Sequence, residues 1–154
     1  MIQNVKKILA PIDFSPHSMD AMRAAMELAK DVGAEVHLVH VIAPHHTFIP
    51  LPLATSAEQS RELAREAAML EQAEEELAHL KKDEFGDSNK VFTYAVVGHP
   101  VAKLVDYAKE QAIDLIVMAT HGRSGVEHIL LGGTTEKIVR GAPCSVLVIR
   151  QRKQ

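Results

Sequence analysis

The chain has 154 residues, of which 47% are hydrophobic and 24% are charged, and its formal net charge is −3 at pH 7. This length and apolar content predict one globular domain over residues 1–154. The slightly acidic balance argues against a nucleic-acid partner or binding to an anionic membrane. Cys144 is the only cysteine, which excludes an internal disulfide. Together with the lack of an apolar leader or span, it predicts a cytoplasmic protein.

The first elements are two apolar runs separated by a helical pattern. Ile8–Ile12 and Val36–Ile42 are continuous apolar runs without alternation, which is typical of strands buried on both faces of a parallel sheet. Between them, Ser15 followed by Pro16 predicts the N-cap and first residue of a helix. Gly33 is predicted to end that helix.

A long, charged helix is predicted next. Ser56 and Gln59 have the spacing of a capping box and predict its start. Its apolar stripe comprises Leu63, Ala67, Leu70, Leu77 and Leu80. The run Val91–Val97 that follows is more mixed in polarity, so it is predicted to be a strand nearer an edge of the sheet.

The last third of the chain repeats the alternation. Pro100 predicts the start of a third helix, whose apolar face extends to Ala112. Leu115–Ala119 is a further buried strand, and a fourth helix is predicted roughly over residues 135–140. The last strand, Val146–Ile149, is again a continuous apolar run. It is predicted to lie at an edge of the sheet, where an apolar strand can pair with another chain.

This order predicts an α/β fold: a three-layer, doubly wound, five-stranded parallel sheet with four helices, of the flavodoxin-like or a related type. Strands that alternate strictly with helices require right-handed crossovers. In such sheets, ligands bind beyond the carboxyl ends of the strands, where neighbouring connections leave to opposite faces. The segments that follow the strands are therefore the candidates for a site.

The segment after the fourth strand is rich in glycine. Gly122 allows a sharp turn, and Gly132 and Gly133 precede a helix N-terminus, whose amides and dipole favour an anion such as phosphate. Thr134 and Thr135 add hydroxyl groups there. The alternative is that these glycines only permit tight loops. Neither a Walker A motif nor a Gly-x-Gly-x-x-Gly motif is present, which disfavours a P-loop ATPase and an ordinary dinucleotide-binding domain.

In these segments the chain resembles the universal stress protein family over essentially its whole length. The resemblance rests on Lys7-Ile-Leu-Ala-Pro-Ile-Asp13 with Ser15, on His40-Val41, on Asp114-Leu-Ile-Val-Met-Ala-Thr-His-Gly122, on the glycine-rich stretch to Thr135 and on Ala142-Pro-Cys-Ser-Val-Leu-Val-Ile149. It implies an adenine-nucleotide site of the ATP-binding branch, marked by Gly-x2-Gly-x9-Gly-[Ser/Thr]. It also implies a homodimer joined through the last strand, Ser145–Ile149.

That motif falls on Ala119, Gly122, Gly132 and Gly133, so two of its four positions depart from the strict form. Ala119 adds a methyl group where the family has glycine. Gly133 removes a hydroxyl hydrogen bond worth on the order of 1 kcal/mol, although Thr134 is a candidate to replace it. The alternative to a functional site is therefore a degenerate one that binds nothing.

Further nucleotide-binding positions are implied by the resemblance. Asp13 is expected to reach the ribose or adenine, and the backbone of Val41 is expected to lie beside the base. Asp13 has a structural alternative, since it would also cap the turn before Ser15. The predicted positions also include Pro11, Met118, Arg123 and Thr135. The alternative for Met118 is a core residue, and the alternative for Arg123 is a solvated surface residue.

Two classes of function follow from this reading. The first is a regulatory stress protein that binds ATP or a related adenine nucleotide, with or without Mg²⁺. The second is a dimeric stress or interaction protein with a decayed site. An enzyme such as a nucleotidyl transferase or phosphatase is disfavoured because no catalytic constellation is identified, although weak ATP hydrolysis stays compatible with the sequence. Nine histidines show no H-E-x-x-H spacing, so no dedicated metal site is predicted.

Overall fold

The computed structural model describes residues 4–44, 55–120 and 132–150, which form a parallel sheet alternating with helices. The elements in chain order are β1 (Lys7–Pro11), α1 (Pro16–Val32), β2 (Glu35–Ile42), α2 (Ser56–Phe85), β3 (Val91–Val97), α3 (Pro100–Glu110), β4 (Leu115–Ala119), α4 (Gly133–Gly141) and β5 (Ser145–Ile149). The predicted α/β fold, with five parallel strands and four helices, is confirmed.

The strand order in the sheet is β3-β2-β1-β4-β5, and every neighbouring pair is parallel. The central strand β1 is the most enclosed, since Ile8, Leu9 and Ala10 are fully buried. The strands β3 and β5 lie at the two edges. Their positions agree with the mixed polarity of Val91–Val97 and with the prediction of an edge at the end of the chain.

Two helical layers cover the sheet. One buried cluster joins residues of α1 and α2, such as Met22 and Leu77, to one face of the strands. A second cluster joins residues of α3 and α4, such as Leu104 and Ile138, to the opposite face. Because the connections from β1 and β4 leave to opposite faces, the switch point of this sheet lies between these two strands.

Helix α1 begins and ends as predicted. The Ser15 hydroxyl accepts a hydrogen bond from the amide of Ser18 at 3.2 Å, and Pro16 occupies the first turn. Gly33 follows the helix with φ of 73°, a left-handed conformation that glycine adopts without steric cost.

Three predicted helix boundaries were wrong. The capping box of α2 uses Thr55 and Glu58 instead of Ser56 and Gln59: the Glu58 carboxylate accepts from the Thr55 amide at 2.6 Å, and the Thr55 hydroxyl accepts from the Glu58 amide at 3.2 Å. A carboxylate suits this position better than an amide because it also interacts favourably with the helix dipole. Helix α4 begins two residues before the predicted start, and α3 ends before Ala112, whose φ is 51°.

The apolar stripe of α2 is buried over only part of its length. Leu77 is fully buried, whereas Leu63 is 67% exposed. Thirty helical residues span about 45 Å, while the eight residues of β2 span about 26 Å. The helix is thus longer than the sheet beneath it.

None of the helices among the described residues is long and apolar enough to cross a bilayer.

The last strand differs from its predicted burial. A continuous apolar run indicated burial on both faces, but residues of β5 are exposed or half-buried, and Leu147 is 42% exposed. The reason is its place at the edge, where only β4 pairs with it among the described strands.

Candidate functional site

A cavity of about 350 Å³ lies beyond the carboxyl ends of β1, β2 and β4, at the switch point of the sheet. Nine of the eleven predicted site residues line it. They are Pro11, Asp13, Val41, Met118, Ala119, Gly132, Gly133, Thr134 and Thr135. The remaining two, Gly122 and Arg123, lie outside the described residues.

The turn between β1 and α1 holds Asp13 at the border of the cavity. Its Oδ1 atom accepts hydrogen bonds from the Ser15 amide at 2.9 Å and from the Ser15 hydroxyl. Its own amide donates to the hydroxyl of Ser18 at 3.3 Å. Asp13 therefore caps the turn, as the structural alternative predicted, and also faces the cavity.

Phe14, between Asp13 and Ser15, has φ of 61°. A non-glycine residue in this region is uncommon and costs energy, and such residues concentrate at functional sites. The ring of Phe14 packs edge-on against His40, with centroids 4.9 Å apart. The Nδ1 atom of His40 lies 2.6 Å from the carbonyl oxygen of Ile12. These contacts fix the turn that carries Asp13.

Part of the cavity lining is apolar. Val39 and Val41 come from β2, Met118 comes from β4, and Pro100 and Leu104 come from α3. Met118 is only 6% exposed, so it belongs to the core and lines the cavity at once. A wall of this kind suits the faces of a planar base better than a charged group.

The first turn of α4 forms another part of the lining. Gly132 is its N-cap, and no side chain among the described residues caps the helix there. The first amides of a helix have no partner within it, so the amides of Gly133 and Thr134 are candidate donors to a ligand. They carry the positive end of the helix dipole and suit an anion.

Two other donors in this segment are already used within the fold. The Gly132 amide donates to the carbonyl oxygen of Thr120 at 2.6 Å. The Thr135 hydroxyl donates to the carbonyl oxygen of Ala119 at 2.9 Å, and Thr135 is 3% exposed. These two groups hold α4 against the end of β4.

Gly133 lies in open surroundings. A Cβ atom added there would meet no heavy atom of the described residues within 4 Å, apart from its neighbours in the chain and the helix backbone. The site therefore has room for the serine or threonine side chain of the family motif.

The sequence analysis missed five residues that line the cavity: Ile12, Ser18, Val39, Pro100 and Leu104. Two signals were available. Val39 lies two positions before Val41, and alternate residues of a strand share a face. Pro100 begins a helix after β3, and in a parallel sheet that helix starts at the same edge as the site.

The clearest pKa shifts of buried groups belong to residues outside the cavity. Burial lowers the pKa of His37 from its ordinary value, and burial raises the pKa of Tyr107 and of the Cys144 thiol. A raised thiol pKa disfavours the nucleophilic thiolate. Within the described part of the chain, no group of three or more His, Cys, Asp or Glu side chains is arranged to hold a metal ion.

Comparison with known proteins agrees with this architecture. The sequence pattern of the universal stress protein family matches residues 4–150. The universal stress protein MJ0531 of Methanocaldococcus jannaschii is 38% identical over 151 residues, which cover 97% of this chain and 84% of the relative. The solved structure of MJ0577, a universal stress protein of the same organism, superposes with a TM-score of 0.82 at 28% identity and covers 97% of this chain and 99% of that one.

A further solved structure is that of a universal stress protein in complex with cAMP, and it has the same fold. Its TM-score is 0.60 at 22% identity, and the match covers 95% of this chain and 97% of that one. The family match spans nearly all of the chain, including the segments on which the resemblance rests. The chain belongs to the universal stress protein family.

Proposed function

We propose that the protein is a cytoplasmic regulatory stress protein that binds ATP or a related adenine nucleotide in the cavity at the switch point. The observation that carries the proposal is the mixed lining of this cavity, which combines apolar side chains of β2, β4 and α3 with the N-terminus of α4. An adenine base suits the apolar part of the lining, and a phosphate chain suits the helix N-terminus.

Comparison with the family supports a nucleotide as the class of ligand. A protein of the same fold has been solved in complex with cAMP, which is itself an adenine nucleotide. In the proposed pose, the base lies beside Val41, the ribose lies near Asp13, and the phosphates face Gly133 and Thr134. Mg²⁺ would enter with the phosphates, because Asp13 is the only carboxylate among the described residues that line the cavity.

We propose binding without efficient turnover. Apart from Asp13, the described residues that line the cavity include no carboxylate, histidine or cysteine. Hydrolysis needs a group that orients or activates the attacking water, and one acid already bonded to Ser15 is a poor candidate. A sensitive phosphate-release assay over hours should therefore detect weak hydrolysis at most.

The second candidate function is a dimeric interaction protein whose site no longer binds nucleotide. Two observations favour it: Gly133 has no hydroxyl, and the Gly132 amide already donates to Thr120. Under this alternative, the edge strand β5 mediates the activity through protein contact alone.

Thermal unfolding with added ATP, with and without Mg²⁺, separates the two candidates. A ligand at about 100 times its Kd stabilises the folded state by about 2.7 kcal/mol. We expect a rise in the unfolding temperature with ATP and a smaller rise with GTP, since guanine carries more polar groups that an apolar lining would leave unpaired. No shift at millimolar ATP would favour the interaction protein. Mass spectrometry of small molecules released from the purified, denatured protein would identify the bound nucleotide.

A homodimer through β5 is the second part of the proposal. Leu147 is 42% exposed on an edge strand with an apolar sequence, and Val139 on the adjacent helix α4 is 46% exposed. An edge strand of this composition is a template for pairing with another chain.

A further inference from the structure

Thr135 makes an unusual choice of hydrogen-bond partner. A threonine in a helix commonly donates to a carbonyl three or four residues back in its own helix. Here the carbonyl three residues back, that of Gly132, accepts from the Glu136 amide at 3.0 Å. The Thr135 hydroxyl donates instead to the carbonyl of Ala119, sixteen residues away on β4.

Together with a second hydrogen bond, this bond joins the start of α4 to the end of β4. The other runs from the Gly132 amide to the carbonyl of Thr120 at 2.6 Å. The two acceptors are consecutive residues of the chain, and the two donors are three residues apart, which is close to one turn of the helix. Two contacts at this separation fix the direction of the first turn as well as its distance from the strand.

The residues between the two donors are Gly133 and Thr134, which line the cavity. Because Gly133 lacks the hydroxyl of the family motif, the phosphate end depends mainly on backbone amides. Amides bind an anion well only when their direction is fixed before the ligand arrives.

We propose that Thr135 is a positioning residue for the phosphate chain, acting through the first turn of α4. This inference rests on the proposed nucleotide function. The hydroxyl donates to Ala119, so it orients the amides of Gly133 and Thr134 and does not itself hold the ligand. Removing it should weaken recognition of phosphates and leave recognition of the base and ribose unchanged.

The test compares Thr135→Val, Thr135→Ala and Thr135→Ser with the wild-type protein by calorimetric titration of ATP and of adenosine. Thr135→Val replaces the hydroxyl by a methyl group. Thr135→Ala removes the hydroxyl without placing a methyl group against the Ala119 carbonyl. We expect the Kd for ATP to rise roughly fivefold in both, the cost of one neutral hydrogen bond. The Kd for adenosine should change less than twofold, and Thr135→Ser should restore the wild-type Kd for ATP.

The outcomes separate this inference from the proposed function. If the wild-type protein binds neither ligand, the nucleotide proposal fails, and the role of Thr135 fails with it. If the wild type binds ATP but the variants weaken ATP and adenosine equally, or neither, the proposed function stands and the positioning role is overturned. Should Thr135→Val unfold, Thr135→Ala and Thr135→Ser still decide the matter, since the serine alone retains the donor.

Discussion

Gly132 combines two roles at the residue scale. It is the N-cap of α4, with φ of −62° and ψ of 156°, and it lines the cavity. This extended backbone is open to any residue, and aspartate and asparagine are better N-caps than glycine. A side chain here therefore need not disturb the helix, and one that caps the first turn would lie against the amides that are proposed to bind the phosphate chain.

From this geometry we predict that Gly132→Asp abolishes ATP binding without lowering stability. The carboxylate would repel the phosphates while capping α4, and Gly132→Asn is the matched control because it caps the helix without charge. In a calorimetric titration, we expect no measurable ATP binding by the aspartate variant and weakened binding by the asparagine variant. Lys82→Ala, on the exposed surface of α2, should bind like the wild type. Equal affinities in the aspartate and lysine variants would contradict the placement of the site.

Gly133 allows the opposite experiment. Because an added Cβ meets no other part of the described structure within 4 Å, Gly133→Ser should supply the hydroxyl of the family motif without strain. One hydrogen bond to a phosphate oxygen would lower the Kd for ATP by about fivefold. Gly141→Ser is a suitable control, since it lies at the far end of the same helix and is equally open. Tighter binding by both variants, or by neither, would mean that position 133 does not face the phosphates.

How much of the site the sequence predicts depends on the range of the interactions. The family resemblance pointed to Asp13 and Val41, and the place of Asp13 at the predicted switch point of the sheet supported its role. The bonds from Gly132 to Thr120 and from Thr135 to Ala119 were not foreseen, because they join residues twelve and sixteen positions apart. Local spacing says nothing about which amides at a helix N-terminus are already paired.

At the scale of single elements, a buried group in β2 links stability to pH. The side chain of His37 is 5% exposed, and its Nδ1 atom lies 2.8 Å from the Tyr107 hydroxyl. Its ring stacks on Phe92, with centroids 5.1 Å apart. Its Nε2 atom has no hydrogen-bond partner in the described structure, and the nearest carboxylate oxygen, on Glu35, is 3.6 Å away.

Burial lowers the pKa of His37, and the Glu35 carboxylate opposes this only in part. The unfolded chain therefore binds a proton at a higher pH than the folded protein does. As a result, the free energy of unfolding should decrease as the pH falls below about 6.5. Urea unfolding at pH 7.5 and 5.5 would measure this change. In His37→Gln the decrease should be smaller, whereas His79→Gln, on the exposed surface of α2, should retain it. An unchanged decrease in the His37 variant would show that other groups cause it.

Helix boundaries show where residue patterns are informative and where they are not. Ser15, Pro16 and Gly33 act through contacts within a few residues, so the limits of α1 were predicted correctly. The start of α4 was placed two residues late, since its first residue, Gly133, is a poor helix former in isolation. Exposure of Leu63 was unforeseen because it depends on the length of α2 relative to the sheet, a tertiary property.

At the scale of the whole molecule, the alternation of strands and helices was sufficient to predict the layered fold. The order β3-β2-β1-β4-β5 has one consequence for assembly: it places the last strand of the chain at an edge, beside β4, whose end borders the cavity. The Thr120 amide donates to the carbonyl of Ile149 at 3.2 Å, while its own carbonyl accepts from Gly132. The proposed dimer edge and the proposed phosphate end therefore share a residue.

The proposed dimer can be tested through Leu147, the exposed leucine of β5. We predict that Leu147→Lys shifts the protein from dimer to monomer, because the charge would have to be buried where two apolar edges meet. Sedimentation equilibrium over a range of protein concentrations would measure the shift. We expect the dimer Kd to rise at least tenfold, which corresponds to a loss of more than about 1.4 kcal/mol in the free energy of dimer formation. Leu63→Lys is the matched control, since Leu63 is more exposed and lies on α2, away from β5. A dimer that survives Leu147→Lys but dissociates with Leu63→Lys would indicate that the interface lies on the projecting part of α2. A wild-type protein that is monomeric would refute the pairing through β5.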